Sequence, residues 1–320
     1  MPKVLVTGGA GFVGSYVVRD LLASGEEVVV YDVSIARNVL DRVVPAQARD
    51  QLTLVQGELT DGWGLLAVCQ REAVDRAVHL ASPLTAWVRS NPAAGVAAIC
   101  GGTATILEIA RALSMTRVAW TSSISVHGPS GRAPSPGAAA PGRPESLYGS
   151  AKVLCEDLAA TYRRDHRVDS VGLRFPVLYG PWRARGLEAS FGLDDDPIWL
   201  AARGLPVVIP RAGRTLNWLY VEDASDLLIR ALRTATPPEP VFDVSGEIAS
   251  MRDFAHLLGE LEPSVPVTVE TDEPGPAAAM TEVDDRAVRR WAGWAPRYTL
   301  REGVAKTLWA YRDAGAAVAP

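Results

Sequence analysis

The chain has 320 residues, of which 48% are hydrophobic and 22% charged, and its formal net charge is −5. These values are typical of a globular protein with one large domain or two modest ones, and the acidic balance gives no sign of a nucleic-acid partner. Three cysteines and four histidines lack metal-ligand spacing, so we expect no metal, and so few cysteines favour reduced thiols in the cytoplasm. No apolar run approaches a membrane span and the first strand begins almost at Met1, so we expect neither membrane association nor a signal peptide.

The first predicted strand leads directly into a glycine-rich turn. An apolar run from Lys3 is followed by glycines at three-residue spacing, and then by apolar residues at helical spacing. Glycines permit a tight turn and close backbone approach, and a helix N-terminus attracts the phosphates of a dinucleotide. A glycine-rich turn of an ordinary α/β protein is the alternative, and the clean strand and helix around it argue against that alternative. We therefore assign five residues to the pyrophosphate: Gly8, Gly11, Phe12, Val13 and Gly14.

A second predicted strand, 28–31, ends at Asp32, about 20 residues beyond the glycines, where dinucleotide sites carry an acid for the adenosine ribose. A carboxylate there accepts hydrogen bonds from ribose hydroxyls and repels a 2′-phosphate, so Asp32 favours NAD over NADP. The nearby Arg37 is the one residue that would favour NADP, because an arginine can hold a 2′-phosphate. The simpler interpretation is that Arg37 is a solvated loop residue.

Strands and helices then alternate. Strands are predicted at 52–55, 77–81, 117–120 and 170–174, with long helices at 96–114 and 148–165. This alternation predicts an α/β fold, a doubly wound parallel sheet of the Rossmann type with helices on both faces. The segment 129–146, rich in proline, glycine and alanine, is either a lid over the reacting centre or a plain surface loop.

After Pro181 the pattern changes to a short strand at 207–209 and helices near 223–233, 251–261 and 299–312. We predict a smaller C-terminal α+β lobe that closes over the cofactor and binds substrate. The predicted domains are an NAD-binding domain at 1–180, with 236–250 returning to its sheet, and a substrate lobe at 181–235 and 251–320.

Tyr148 and Lys152 are four residues apart at the start of a predicted helix and so share one face. An ammonium near a phenol stabilises the phenolate and should lower its pKa, which would let Tyr148 act as general base on a secondary alcohol. Ser123, after the fifth strand, could hydrogen-bond the reacting oxygen. Tyr and Lys at this spacing are also common as a surface pair, and it is the position after five strand–helix units that favours a catalytic role.

The chain resembles the extended short-chain dehydrogenase/reductases, specifically the NAD-dependent epimerase/dehydratase group that includes UDP-galactose 4-epimerase. The resemblance covers nearly the whole chain. The motifs that carry it are Thr7 to Gly14, Asp32, Gly57 to Asp61, His79 to Ala81, Asn91-Pro92, Gly102-Thr103, Ser122 to Gly128, Tyr148 with Lys152, Arg174 to Pro181, Tyr220 to Asp223, Asp243 to Gly246 and Gly293-Trp294.

The resemblance implies Tyr148 as acid/base, Lys152 as its activator and ribose clamp, and Ser123 as the hydroxyl on the substrate oxygen. It also implies a homodimer formed through a four-helix bundle from helices near 96–113 and 148–165. The remaining cofactor contacts that it implies are Glu58, Leu59, Leu80, Ala81, Ser82, Ser122, Phe175 and Val177. The substrate contacts that it implies are Ser82, Ser123, Ser125, Pro176, Arg183 and Asn217.

Four positions depart from the family pattern. Ile99 and Pro176 stand where asparagines are common, Asn217 where nucleotide-sugar enzymes usually carry arginine, and His127 where tyrosine is common. The changes at 176 and 217 remove groups that would lie near a sugar-nucleotide diphosphate, which needs fixed donors, best supplied by arginine. Either another arginine substitutes or the substrate is smaller. The arginines available for this are Arg183, Arg185, Arg211 and Arg214.

Three functions are compatible with these residues. The first is an NAD-dependent epimerase of a sugar or nucleotide sugar that works through a transient ketone. The second is a dehydrogenase or ketoreductase of a polyol, sugar acid or ketone with exchangeable cofactor. The third, a non-catalytic NAD sensor, is disfavoured because Tyr148 and Lys152 are intact. A dehydratase or decarboxylase is also disfavoured, because Ile124 and Ser125 follow the catalytic hydroxyl where those enzymes carry acids.

Overall fold

The computed structural model describes residues 3–35, 39–128, 144–183, 196–270 and 282–314. Its main sheet has seven parallel strands in the order β10-β6-β5-β4-β1-β2-β3. These strands are β1 (Lys3–Thr7), β2 (Val28–Asp32), β3 (Leu52–Gln56), β4 (Val74–His79), β5 (Arg117–Ser123), β6 (Ser170–Phe175) and β10 (Val241–Asp243). The order reverses between β1 and β4, so the crevice for a ligand lies beyond their carboxyl ends.

Helices cover both faces of this sheet. One face is covered by α1 (Phe12–Ala23), α9 (Val221–Arg233) and α11 (Arg286–Ala292). The other is covered by α3 (Gly62–Arg71), α6 (Gly102–Leu113) and α7 (Leu147–His166). The predicted doubly wound fold is confirmed. Its central strands are nearly all apolar because a parallel sheet is buried on both sides.

A second apolar core joins two small sheets to the remaining helices. The three-stranded sheet contains β7 (Val177–Tyr179), β9 (Thr215–Tyr220) and β11 (Glu247–Ser250), and the two-stranded sheet contains β8 (Val207–Ile209) and β12 (Val267–Val269). The helices are α8 (Pro197–Ala202), α10 (Met251–Leu261) and α12 (Leu300–Asp313). Thus β7 and β11 each pair with β9 in this smaller sheet. Of the segment 236–250 that was predicted to return to the large sheet, β10 does so and β11 does not.

Shorter helical pieces connect these elements: α2 (Leu40–Val43), α4 (Thr85–Ser90), α5 (Pro92–Val96) and the 3₁₀ turns Ala46–Gln51 and Ile124–His127. The segment Ala97–Gly101 is a π-helical turn that joins α5 to α6 in one helix, 92–113. That helix is long and apolar enough, by length and composition alone, to cross a membrane. The expectation that no apolar run approaches this length was therefore wrong. Here the apolar composition serves packing, since Ile106 and Leu107 are buried against the main sheet.

The strand predicted at 77–81 is displaced, because Leu80 and Ala81 lie beyond the end of β4. Leu80 still donates its N–H to the Thr7 carbonyl at 3.1 Å, and the backbone of Ala81 then turns against Gly8. The strand predicted at 117–120 continues to Ser123, because Ser122 and Ser123 pair with Arg174 and Phe175 of β6. The segment 129–143, most of the predicted lid or loop, lies outside the described residues.

Candidate active site

Two glycines of the turn between β1 and α1, Gly8 and Gly14, leave no space for a side chain. A Cβ on Gly8 would lie 2.8 Å from the Ala81 nitrogen, and Gly8 has a φ of +70°, which strains any other residue. A Cβ on Gly14 would lie 2.1 Å from the Gly8 carbonyl oxygen. Gly11 caps α1 without a side-chain hydrogen bond, so the N–H groups of the first turn face the crevice uncapped. The residues present therefore fit a dinucleotide pyrophosphate.

Asp32 ends β2 beside this turn and is already part of it. Its Oδ2 accepts a hydrogen bond from the Ala10 N–H at 3.1 Å, and its Oδ1 accepts one from the Ser34 N–H at 3.2 Å. Each carboxylate oxygen has a further lone pair, so the same group can also receive ribose hydroxyls. Arg37, the residue that would favour NADP, lies outside the described residues.

The predicted adenine contacts follow β3. Glu58 is exposed and Leu59 half-buried, and the Tyr31 hydroxyl donates a hydrogen bond to the Glu58 carbonyl at 3.2 Å. Leu59 also packs on Gly102, where a Cβ would come within 2.8 Å of its Cδ1. The loop that carries these two residues is thus held from both sides.

A chain of buried hydrogen bonds connects the glycine turn to the π-helical turn. The Ala81 N–H donates to Thr7 Oγ1 at 3.4 Å, Thr7 Oγ1 lies 2.8 Å from His79 Nδ1, and His79 Nε2 lies 3.3 Å from Thr103 Oγ1. Thr103 donates its own hydrogen to the Ile99 carbonyl at 2.9 Å. His79 Nε2 therefore donates and Nδ1 accepts. Burial lowers the pKa of His79 to about 3, which keeps this ring neutral.

Tyr148 and Lys152 lie on the first turns of α7, whose N-cap Ser146 accepts a hydrogen bond from the Gly149 N–H at 3.0 Å. The Lys152 ammonium is buried, lies 5.7 Å from the centroid of the Tyr148 ring and donates to the Thr121 carbonyl at 2.9 Å. The helix therefore brings the two side chains together at the carboxyl end of β5.

The pKa of Tyr148 differs from the expectation. Burial raises it to about 12, and a hydrogen bond with Ser123 opposes that rise. Lys152 is not among the causes of the shift, and burial lowers the pKa of Lys152 itself. The predicted lowering of the Tyr148 pKa by Lys152 was therefore wrong for the protein alone, because desolvation of the phenolate outweighs a lysine whose ammonium is bonded to a carbonyl.

Ser123 lies at the N-cap of the 3₁₀ turn Ile124–His127. Its Oγ accepts a hydrogen bond from the Ser125 N–H at 3.2 Å and lies 3.0 Å from Ser125 Oγ, whose hydroxyl can donate to it. Ile124, the next residue, is buried. The structure thus brings Ser123 within hydrogen-bond reach of Tyr148 and keeps Ser125 next to Ser123.

The remaining substrate candidates are spread around this centre. Ser82 Oγ donates to the Pro83 carbonyl at 3.3 Å, and Pro176 separates β6 from β7 between buried Phe175 and half-buried Val177. Pro176 has no N–H and no polar side chain, so it can offer a substrate only its carbonyl and apolar ring.

Asn217, a predicted substrate contact, is bonded to the protein itself. It is buried in β9, its Nδ2 donates to Ser245 Oγ at 3.0 Å, and its Oδ1 accepts from the Gly246 N–H at 2.8 Å. Both ends of the amide therefore hold the turn that leads into β11. This role follows from pairing between distant strands, which residue spacing does not reveal.

The arginines also occupy distinct places. Arg183 stacks over Phe12, the first residue of α1, with 5.7 Å from its Cζ to the ring centroid, so it lies beside the glycine turn. Arg211 and Arg214 lie in the turn before β9, where burial and then the charge of Arg211 lower the pKa of Arg214. Arg185 lies outside the described residues.

Glu156 and Arg174 form a buried ion pair behind the site that the sequence analysis does not assign. Arg174 donates to Glu156 through Nε at 2.8 Å and Nη2 at 2.7 Å, and Ser122 Oγ donates to Glu156 Oε1 at 2.6 Å. The sequence offers two signals for this pair. Glu156 lies one turn beyond Lys152 on the same helix, and Arg174 is a charged residue in an otherwise apolar predicted strand. Ser122, a predicted cofactor contact, thus has a protein partner.

The described residues hold no group of three or more His, Cys, Asp or Glu side chains that could bind a metal ion. The model of the NAD dependent epimerase/dehydratase family matches residues 4–244. The chain belongs to this family. The resemblance stated from the sequence is confirmed, and NAD is the cofactor that the family uses.

Two curated relatives illustrate the range of similarity within the family. UDP-glucuronate 4-epimerase 6 of Arabidopsis thaliana is 32% identical over 190 residues, which cover 56% of this chain and 40% of that protein. UDP-glucose 4-epimerase of Mycolicibacterium smegmatis is 28% identical over 317 residues, which cover 97% of this chain and 99% of that protein. The chain spans about half the length of the Arabidopsis relatives that it matches.

Among solved structures, the holo form of a GalE-like L-threonine dehydrogenase from Cupriavidus necator has a TM-score of 0.83 and 25% sequence identity. The match covers 96% of this chain and 99% of that one, so the two share both the Rossmann domain and the smaller lobe.

Proposed function

We propose that the protein is an NAD-dependent epimerase-type oxidoreductase that acts on a secondary hydroxyl of a sugar or nucleotide sugar through a transient keto intermediate. The observation that carries this proposal is the placement of Ser123, Tyr148 and Lys152 together at the carboxyl end of β5, at the same edge of the parallel sheet as the close-packed glycine turn that follows β1.

The chain's own residues would divide the work as follows. Tyr148 Oη takes the proton of the substrate hydroxyl and later returns it, while Ser123 Oγ orients the same oxygen. When bound, NAD supplies a hydride acceptor and a positively charged ring beside Tyr148. Because the pKa of Tyr148 is raised to about 12 in the protein alone, the phenol needs nearby positive charge to act as a base at neutral pH. The buried Lys152 ammonium, held by the Thr121 carbonyl, lies where it can contribute.

The cofactor contacts have the roles assigned by the resemblance: the glycine turn for the pyrophosphate, Asp32 for the adenosine ribose, and Lys152 for the nicotinamide ribose. The domain division stays a proposal as well. In it, the lobe formed by 181–235 and 251–320 binds substrate, and two of its helices, α9 and α11, also cover the main sheet. The pairing of β10 with β6 supports the return of the chain to the first sheet.

A nucleotide sugar is the substrate class that the relatives favour, since both curated relatives described above are named as UDP-sugar 4-epimerases. An epimerase regenerates its cofactor in each turnover, so we expect NAD to stay bound through purification. The test is to denature the purified protein and measure released NAD, and to follow UDP-glucose and UDP-glucuronate by proton NMR. One NAD per chain and appearance of a 4-epimer support the proposal. Accumulation of NADH without any epimer contradicts it.

A dehydrogenase of a non-nucleotide polyol, sugar acid or ketone is the second candidate. Two observations favour it: Asn217 uses its amide to hold a turn, and Pro176 offers no donor, so neither position supplies a group for a diphosphate. The GalE-like L-threonine dehydrogenase shows that this fold also carries a dehydrogenase. Steady NADH production from a panel of such alcohols, with exchangeable NAD, would establish this function in place of the first.

We further propose a homodimer built from the helices 92–113 and 147–166. The exposed side of the first helix carries small residues, among them Ala94, Ala97 and Gly101, and Leu154 is exposed on α7. Small side chains let helices approach closely, so Gly101→Arg should convert the dimer to a monomer in light-scattering chromatography.

A cytoplasmic location stays a proposal, supported by three free and buried cysteines.

A further inference from the structure

A ring of buried polar contacts encircles the segment that carries Ser123 and Ser125. Beyond the Ser122–Glu156–Arg174 contacts, Arg174 Nη1 donates to Asp243 Oδ2 at 3.4 Å, and His127 Nε2 lies 2.6 Å from Asp243 Oδ1. The ring therefore runs from β5 through α7, β6 and β10 and back to the end of the 3₁₀ turn Ile124–His127.

This ring holds the segment at both of its ends. Ser122 immediately precedes Ser123, and His127 is the last residue of the turn that Ser123 caps. The middle of the segment is fixed by α7, because a Cβ on Gly149 would lie 2.7 Å from the Ser125 carbonyl oxygen. Gly149 follows Tyr148, so the segment and the helix of the catalytic pair are in direct contact.

The His127–Asp243 pair fixes the orientation of the imidazole. A carboxylate only accepts hydrogen bonds, so His127 Nε2 is the donor, and the His127 side chain is 1% exposed. Its Nδ1 is buried without a partner among the residues that the structure describes. A buried nitrogen without a partner opposes folding, so hydrophobic packing alone does not explain a histidine at this position.

We propose that His127 is a positioning residue that acts through Asp243 to hold the 123–127 segment so that Ser123 reaches Tyr148. The inference rests on the proposed roles of Ser123 and Tyr148. His127 itself touches neither substrate nor cofactor in this scheme. The contact between Ser123 and Tyr148 is what its loss would break.

The test measures the pKa of the Tyr148 phenol in the NAD complex, which requires no substrate. The Cζ resonance of ¹³C-labelled tyrosine reports it, and its absence in Tyr148→Phe assigns it. Since the Ser123 hydrogen bond lowers this pKa, Ser123→Ala should raise it. We expect His127→Leu to raise it by a similar amount. The double variant should show no further rise beyond that of Ser123→Ala, because the two changes break one contact.

Conservative and control variants separate positioning from general packing. His127→Gln keeps a donor for Asp243 and should restore the original pKa. His256→Leu removes the exposed His256–Glu260 pair, which has a distance of 3.2 Å, and should change nothing. The dissociation constant of NAD should stay within about threefold of the original in every variant, because the glycine turn is untouched.

Two results would overturn the inference: a normal Tyr148 pKa in His127→Leu while Ser123→Ala shifts it, or additive shifts in the double variant. If His127→Leu does not fold, Asp243→Ala takes its place, since it removes the acceptor for His127, with the same expectations. An unchanged pKa in Ser123→Ala is a different failure, since it removes the proposed Ser123–Tyr148 contact and the inference together.

Discussion

Gly14→Ala separates the steric demand of the glycine turn from helix propensity. Gly14 lies inside α1, where alanine would ordinarily stabilise the helix by about 1 kcal/mol. The added Cβ, however, would lie 2.1 Å from the Gly8 carbonyl oxygen and 2.6 Å from the Gly9 Cα. Relief of these contacts requires a movement of about 1 Å or more in the turn, since non-bonded carbon atoms prefer about 3.5–4.0 Å.

A displacement of about 1 Å in a binding loop reduces function by about 100-fold, which corresponds to about 2.7 kcal/mol. We therefore expect Gly14→Ala to weaken NAD binding by about that factor in calorimetric titration. The matched control is Gly259→Ala in α10, where a Cβ meets nothing within 4 Å, so NAD binding should stay unchanged and the melting temperature should rise. An NAD dissociation constant within threefold of the original in Gly14→Ala would refute the steric argument.

Three further predictions address the cofactor, the base and the buried histidine. Asp32→Ala should weaken the binding of NAD by about tenfold and bring its affinity closer to that of NADP, since carboxylate hydrogen bonds contribute about 1.5–3 kcal/mol. If parallel titrations show an unchanged ratio of the two affinities, Asp32 only holds the loop. Tyr148→Phe should reduce turnover by about 10²–10⁴-fold while NAD still binds, and near-normal turnover would exclude Tyr148 as the acid/base. His79 has a pKa lowered to about 3, so the unfolded chain binds the extra proton and stability falls as the pH drops below about 6.5. Between pH 7 and pH 5 we expect this group to lower the free energy of unfolding by about 2 kcal/mol. In urea unfolding, His79→Gln should flatten the pH dependence of stability over this range. An equal pH dependence in the variant would show that other groups cause it.

The cofactor half of the fold was predictable because its signals are local. The run of β1, the glycine spacing and the acid at the end of β2 all lie within one strand–helix–strand unit, and each residue there acts near its neighbours in sequence. The residues at 241–244 indicated a strand, and the pairing of β10 with β6 agrees with the prediction that this part of the chain returns to the first sheet.

The second lobe was harder because its strands are short and pair over long distances. β9 contains Asn217 in a run of otherwise apolar and aromatic residues, and the amide serves a turn 28 residues further along. β7 and β12 have three residues each, too few to show an alternating pattern. The Tyr148 pKa was misjudged for a similar reason, since the burial that raises it comes from segments far apart in sequence.

Ile99 shows how a departure from a family motif can be neutral for local structure. The Ile99 side chain has no polar group and cannot form hydrogen bonds, unlike the asparagine that is common here. It is buried in the apolar core. In the π-helical turn, however, its carbonyl oxygen accepts from Thr103 Oγ1 at 2.9 Å and from Cys155 Sγ at 3.6 Å. Widened turns of this kind release carbonyls from the regular helical pattern. The backbone at 99 therefore supplies the acceptor that ends the chain from His79, and the polar path from the glycine turn to α7 does not depend on the side chain at that position.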